Sequence, residues 1–478
     1  MGRKLNLNLR KISFEQSFLA FNNKRYKEDY YNIQQLICKE GYRIMGYRRK
    51  ITFMGAGSTI FAKSVLGDCI LTPELAGSEL ALHDIDLERL DDSERMLTNI
   101  NKNNGRPMEI ASYENRKKAL GGADYVINAI QVGGYRPATV TDFEVPKEYG
   151  LRQTIGDTIG IGGIFRTLRT IPVLLDFARD MEEVCPDALF MNYTNPMPSL
   201  TGALLKATDI DTVGLCHSVQ VCVEELLEPL GMETEGVEAF IAGINHMAWL
   251  LKLERDGEDL YPEVKRRARE REPPHDDMVR YEIMKRFGYY ITESSEHLAE
   301  YLPYFIKSTH PELIEEFNIP LDEYPRRCEE QLEEWEDRRE ELVNNSDIEH
   351  EKTREYASYM IKAMETDDPI RIGGNVLNEG LITNLPDSAV VEVPCLVDEN
   401  GINPCHVGEL PPQLAALNRT SINVHLLAEK AAMEQNKDAL YQAALLDPHT
   451  SSELSIEETI SLCDDLIEAH GDWLPELQ

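Results

Sequence analysis

The feature that most constrains this chain is a short apolar strand that breaks on two glycines. Ile51-Thr52-Phe53-Met54 runs into Gly55-Ala56-Gly57-Ser58-Thr59, and residues 61–70 then read as an apolar helix. Strand, glycine turn and helix in that order open a nucleotide-binding βαβ unit. The glycines let the backbone turn tightly and approach a pyrophosphate, which the amides and positive dipole of the helix start then hold. Gly55, Gly57, Ser58 and Thr59 are the candidates for that contact. Ile60 stands where G-x-G-x-x-G would place its third glycine, so the turn alone is an incomplete signature.

The next strand completes the argument. Leu80-Ala81-Leu82-His83-Asp84-Ile85-Asp86 ends in two acids, roughly 25 to 30 residues after the glycines, near the spacing at which a carboxylate takes a ribose hydroxyl. Asp84 and Asp86 share one face, so either could reach the ribose while the other caps a helix.

From 51 to about 240 the pattern alternates strand and helix, with short buried strands expected at 51–54, 80–84, 125–130, 188–192 and 212–216. Such alternation implies a doubly wound parallel sheet. Ligands of that architecture gather at the carboxyl ends of strands, which directs attention to the polar residues there. Asn128 within the third of these strands and Gln131 just after it could meet a cofactor ribose or nicotinamide; a buried asparagine bonding to backbone is the competing explanation. Asp157 lies in a glycine-rich loop, residues 150–163, too long for an ordinary turn, and loops of that kind carry function. Asn192 and Asn195 sit in the polar, proline-stiffened corner Asn192-Tyr193-Thr194-Asn195-Pro196. Cys216 and His246 each end an apolar run. Each alone reads as core, but a thiolate and an imidazole meeting in one cleft would hold a divalent metal.

A chain of 478 residues is too long for one ordinary core, and two domains are expected. Residues 1–50 carry 12 Lys/Arg against 4 Asp/Glu, a break in composition that marks residues 1–44 as an N-terminal extension. With Met45 just ahead of the first strand, this stretch is expected to be a disordered arm or to lie ahead of the native start. Residues 45–240 then form the nucleotide-binding domain and 241–478 the second domain. Within the latter, 262–365 are charged with helical spacing, 371–397 are β-rich and 411–470 mostly helical. The segment 287–297 concentrates aromatics, two glutamates and a histidine, with Tyr289, Tyr290 and Glu293 among them.

The formal net charge of −35 opposes a nucleic-acid partner, since phosphate binding demands a basic surface. No apolar run approaches the roughly 20 residues of a membrane span. Nine cysteines without C-x-x-C spacing argue for reduced thiols and a cytoplasmic location.

Taken together, Gly55-Ala-Gly-Ser, Asn192-Tyr-Thr-Asn-Pro, Gly214-Leu-Cys-His-Ser, Gly243-Ile-Asn-His and Val391-Glu-Val-Pro resemble glycoside hydrolase family 4, most closely its α-galactosidase branch. The resemblance runs from about Lys50 to the C-terminus. It implies an α/β fold, an N-terminal Rossmann-like doubly wound parallel sheet followed by a mixed α+β catalytic and oligomerisation domain, and a homo-oligomer. It also implies NAD and a Mn²⁺-like ion as cofactors, in a family outside the two-carboxylate scheme of most glycosidases. The implied reaction oxidises the sugar at C3, removes the acidified C2 proton, expels the glycosidic oxygen, adds water and returns the hydride. Carried over by position, Cys216 and His246 are the implied metal ligands and Asn195 the residue fixing sugar hydroxyls. His217 stands where phospho-sugar members have Asp or Asn, and it shares candidacy for the acid with Asp157. For the base, Tyr289, Tyr290 and Glu293 compete.

The leading expectation is an α-galactosidase acting on melibiose- or raffinose-type oligosaccharides. An α-glucuronidase or α-galacturonidase of the same family is the near alternative. A lactate/malate-type NAD-dependent dehydrogenase is the alternative of another class. A non-catalytic NAD-binding regulator leaves the Cys216/His246 pair unexplained.

Overall fold

In the computed structural model the described residues are 48–104 and 108–478; the extension expected over residues 1–44 lies outside them. Arg49–Gln478 form one compact unit, built on a single sheet of twelve strands. The strands are β1 (Lys50–Met54), β2 (Glu79–His83), β3 (Glu109–Ser112), β4 (Tyr125–Asn128), β5 (Leu189–Asn192), β6 (Thr212–Leu215), β7 (Val237–Ile244), β8 (Met247–Arg255), β9 (Glu258–Asp259), β10 (Ile370–Leu377), β11 (Val390–Asp398) and β12 (Gly401–Pro404). Their order is β3-β2-β1-β4-β5-β6-β10-β11-β7-β8-β9, with β12 on β11.

The first six strands are parallel, in the order 3-2-1-4-5-6 of a doubly wound dinucleotide fold. Strands covered by helices on both faces read as continuous apolar runs. Accordingly β4, β5 and β6 are buried along their whole length, and Ile51, Phe53 and Met54 of β1 are fully buried. Each such side chain contributes roughly 1.5–3 kcal/mol when fully buried. The expected strands lie where the alternation places them, with ends displaced by one or two residues. β3 was not among them, because its four residues are only partly buried or exposed and carry no apolar run.

Beyond β6 the sheet turns antiparallel: β10 pairs β6, β11 pairs β10, and β7 meets β11. The sheet therefore continues through the segments expected on either side of residue 240. One register row crosses it, Asn128 opposite Asn192, Asn192 opposite Gly214, Gly214 opposite Asn375, Asn375 opposite Glu392, and Glu392 opposite Gly243. This row joins by neighbourhood four stretches that lie far apart in the chain.

The glycine-rich loop leads into the helix Gly160–Val184, buried on almost every residue of its first three turns. A Cβ at Gly163 would stand 2.4 Å from the Thr158 carbonyl carbon, so this helix folds back on its own lead-in loop only without a side chain there. The helix Pro412–Glu434 packs across it. The charged helix Glu323–Asn344 buries Trp335, Leu342 and Val343 and exposes most of its acids and bases. Among the described residues no helix is long and apolar enough to cross a membrane.

Candidate active site

At the end of β1 the backbone turns through Gly55 at φ 92°, whose amide donates to the His83 carbonyl oxygen at 3.0 Å. A short 3₁₀ turn, Ala56–Ser58, precedes the helix Ile60–Leu71. Asp86 caps the next helix, Leu87–Asn103, accepting from the amides of Glu88 and Arg89. Asp84 holds the turn itself: one oxygen accepts from Gly57 N at 2.7 Å and the other from Asp86 N at 2.8 Å. The two acids thus divide their work, and both bond backbone amides. The Ser58 hydroxyl is buried with no partner, an unmet polar group at the helix start that fits a phosphate oxygen.

A cavity of about 610 Å³ opens at the carboxyl ends of β4, β5 and β6. Its wall includes Gln131, Asp157, Asn195, Cys216, His217, His246 and Glu293, brought from six stretches of the chain. His246 sits at the tip of the β7–β8 hairpin with φ 62°, and Glu293 has φ 63°; two non-glycine residues held in the left-handed region mark a functional site.

The ligand atoms of Cys216, His246 and Glu293 lie within 4.8 Å of one another, with His246 Nε2 3.3 Å from Glu293 Oε2. Burial works against a charged His246, but the Glu293 carboxylate and then Cys216 and Asp157 outweigh it and push its pKa up to about 10. A pocket that holds a proton this firmly holds negative charge that a divalent cation would also neutralise. The buried His246 Nδ1 and both polar side-chain atoms of Asn245 have no partner. A thiol, an imidazole and a carboxylate form a donor set for a borderline divalent metal, so the residues present fit one.

Beside them, Asn195 Nδ2 donates to Asp157 Oδ2 at 3.0 Å, and Thr158 Oγ1 donates to Asp157 Oδ1 at 2.6 Å. Arg166 braces this wall through the Asn195 carbonyl oxygen at 3.1 Å and the Tyr324 hydroxyl at 3.3 Å. His217 Nε2 is hydrogen-bonded to Glu355 Oε1, and that bond raises the imidazole's pKa above its ordinary value. Burial pushes His297 down to about 4.

Three sequence candidates do not line the cavity. Tyr290 is fully buried and donates to Asp277 Oδ2 at 2.6 Å, outside the cavity wall, so its hydroxyl belongs to the core. Asn128 and Asn192 are also fully buried; Asn128 Nδ2 donates to Asn192 Oδ1 at 3.0 Å and Asn192 Nδ2 to the Thr194 carbonyl at 3.0 Å. Both bond within the sheet's polar row, and Asn128 Oδ1 is buried with no partner. Gln131 does line the cavity and donates to Thr139 Oγ1 at 3.1 Å.

Sequence reasoning missed His297, Arg166, Tyr324 and Glu355 as site residues. The segment 287–297 ends on His297 and was singled out, but for its tyrosines and glutamates. The other three lie on helices, or at the end of one, with no local signal that separates them from packing residues.

The fold and cavity define a Rossmann-like enzyme with a glycine-turn cofactor cradle and a cluster of metal-competent side chains at the strand ends. The chain belongs to family 4 of the glycosyl hydrolases: residues 50–232 match the family 4 glycosyl hydrolase and residues 241–450 its C-terminal domain. It is 64% identical over 429 residues to the alpha-galactosidase of Bacillus subtilis (strain 168), covering 90% of this chain and 99% of that protein. It is 36% identical to the alpha-galactosidase of Rhizobium meliloti (strain 1021), covering 89% of each. Its fold matches that of a 6-phospho-alpha-glucosidase from gut microorganisms solved with NAD and Mn²⁺, at TM-score 0.76 and 21% identity, over 90% of this chain and 100% of that one.

Proposed function

We propose that the chain is an α-galactosidase that removes terminal α-galactosyl groups from small oligosaccharides with the help of NAD and a divalent metal such as Mn²⁺. The observation that carries the chemistry is the convergence of Cys216, His246 and Glu293 on one point of a cavity that also holds Asp157 and Asn195. The 64% identity to an α-galactosidase supports the substrate class.

When bound, NAD supplies a reversible hydride acceptor and the metal supplies Lewis-acid polarisation of sugar oxygens. The turn from residue 55 to 59 cradles the pyrophosphate, with Ser58 Oγ as an additional donor. Cys216, His246 and Glu293 hold the ion. Asn195 orients the sugar hydroxyls, its side-chain amide held by Asp157 and its backbone carbonyl by Arg166. His217, kept protonated toward neutrality by Glu355, donates a proton to the departing glycosidic oxygen. The Asp157 carboxylate takes the C2 proton. Glu293 is assigned to the metal, and Tyr289, absent from the cavity wall, is left out of the machinery.

The α-galacturonidase reading takes support from Arg166, a guanidinium in the cavity wall that could face a carboxylate. Its bonds to Asn195 and Tyr324 already give it a bracing role. A cytoplasmic location is supported by the cysteines, eight of which are free among the described residues. A homo-oligomer and the division near residue 240 belong to the same reading.

Hydrolysis of p-nitrophenyl α-galactoside by reduced protein, with NAD⁺ and Mn²⁺ omitted in turn, tests the proposal. Release that needs both, with flat NADH absorbance, supports it. Faster release from p-nitrophenyl α-galacturonide would replace it with the uronidase, and NADH accumulating without hydrolysis would replace it with a dehydrogenase.

A further inference from the structure

His246 belongs to two sets of ligand atoms. One contains Cys216 and Glu293; the other contains Asp157 and His297, and its three atoms also lie within 4.8 Å of one another. We propose that Asp157, His246 and His297 form a second divalent-cation position that overlaps the first at His246 and contains no sulfur. This inference rests on the metal-dependent reading above.

The position is built rather than incidental. Asp157, His246 and His297 are 8%, 4% and 3% exposed, and their rings and carboxylate face one another: the two imidazole centroids are 4.6 Å apart and His297 Nε2 is 3.5 Å from Asp157 Oδ1. His297 Nε2 and His246 Nδ1 are buried without a hydrogen-bond partner, a costly arrangement unless something else occupies them. Asp157 accepts from Thr158 and Asn195, which leaves lone pairs unused on both oxygens. The backbone is preset as well. His297 and Glu300 lie on the short helix Ser295–Tyr301, and Glu300 accepts from the amides of Thr154 at 3.0 Å and Gly156 at 2.8 Å. The helix that carries His297 is thereby tied to the loop that carries Asp157.

The two positions differ in softness. A set of one carboxylate and two imidazoles suits Mn²⁺-like ions, while the set with the thiolate favours softer ones. Sharing His246 limits the chain to one ion at a time. An ion in the sulfur-free position occupies Asp157, so it is retained there without supporting proton removal from the sugar. The cavity thus keeps its ion when Cys216 is lost or oxidised, and loses turnover.

The test uses Co²⁺ with the full reduced chain under anaerobic conditions, read by equilibrium dialysis and absorption. The wild type is expected to bind one Co²⁺ with a sulfur-to-cobalt charge-transfer band. Cys216→Ser is expected to bind one Co²⁺ without that band, and His297→Ala to keep the band, showing an intact cavity. The double variant is expected to bind at least roughly 100-fold more weakly than Cys216→Ser, beyond what loss of a supporting residue costs. Absence of Co²⁺ from Cys216→Ser, or equal affinity of the single and double variants, overturns the second position while leaving the first intact. Absence of Co²⁺ from the wild type overturns the metal-dependent reading itself, and the second position with it.

Discussion

Asp84 accepts a 2.7 Å hydrogen bond from the backbone amide of Gly57, joining the end of the second strand to the glycine turn 27 positions earlier. A Cβ at Gly57 would stand 2.8 Å from the Asp84 carboxyl carbon, so Gly57→Ala must displace this carboxylate. Hydrogen bonds to charged groups are worth about 1.5–3 kcal/mol. The expected outcome is NAD⁺ affinity weakened by at least about tenfold, measured by calorimetric titration. Unchanged affinity would show that Asp84 does not shape the cradle.

Tyr290→Phe separates a core tyrosine from a catalytic one. The hydroxyl's partner, Asp277, also takes bonds from Arg280 and Ser295, so the carboxylate keeps other donors. We expect kcat/KM to change by no more than about twofold and stability to fall by about 1–2 kcal/mol, read from urea unfolding. A loss of activity without a loss of stability would return Tyr290 to the active site.

Cys216 is the oxidisable member of the first metal set, since a thiolate ligand is the reactive form. Brief peroxide treatment is expected to abolish hydrolysis, and dithiothreitol to restore it from the sulfenic or disulfide stage. Peptide mass spectrometry should find the modification at Cys216. Full activity with Cys216 oxidised would exclude it as a ligand needed for turnover.

Acid stability should depend on His425. Burial pushes its pKa from 6.5 down to about 3, with Ser199 Oγ 3.2 Å from Nδ1. Between those values the unfolded chain binds the proton and the folded one does not, so stability rises with pH through the window and is lost as pH falls from 6.5 toward 3. From pH 6.5 to 5 this group accounts for roughly 2 kcal/mol. His425→Gln is expected to make the fall in unfolding free energy shallower by about that amount; an unchanged slope would mean that His425 is already charged in the fold.

Much of the cofactor half was legible because its signals are local. A strand, a glycine turn and two acids lie within 36 residues of sequence, from Ile51 to Asp86, and strand ends are where this architecture places ligands. Cys216 and His246 stood out for the same reason, each closing an apolar run. A strand end does not show which face a residue takes, so the sequence left Asn128 open between cofactor and core; Asn128 and Asn192 are cross-strand partners, and Asn128 donates to Asn192. Tyr290 and Glu293 lie three residues apart, yet one enters the core and the other the cavity, a choice set by the bend between Ile291 and the helix that starts at Ser295. His297 reaches the site only because that helix packs under the glycine-rich loop. The continuation of the sheet from β6 to β10 joins residues about 160 positions apart, as in the Gly214–Asn375 bond, which no local pattern encodes.

The most direct test of the central claim is hydrolysis of melibiose in D₂O with NAD⁺ and Mn²⁺ present, with deuterium in the released galactose located by NMR. If Asp157 or a neighbour removes the C2 proton and solvent returns it, galactose should carry deuterium at C2. Galactose released with its C2 proton fully retained would contradict the elimination route and point to direct displacement at C1, as in the two-carboxylate glycosidases.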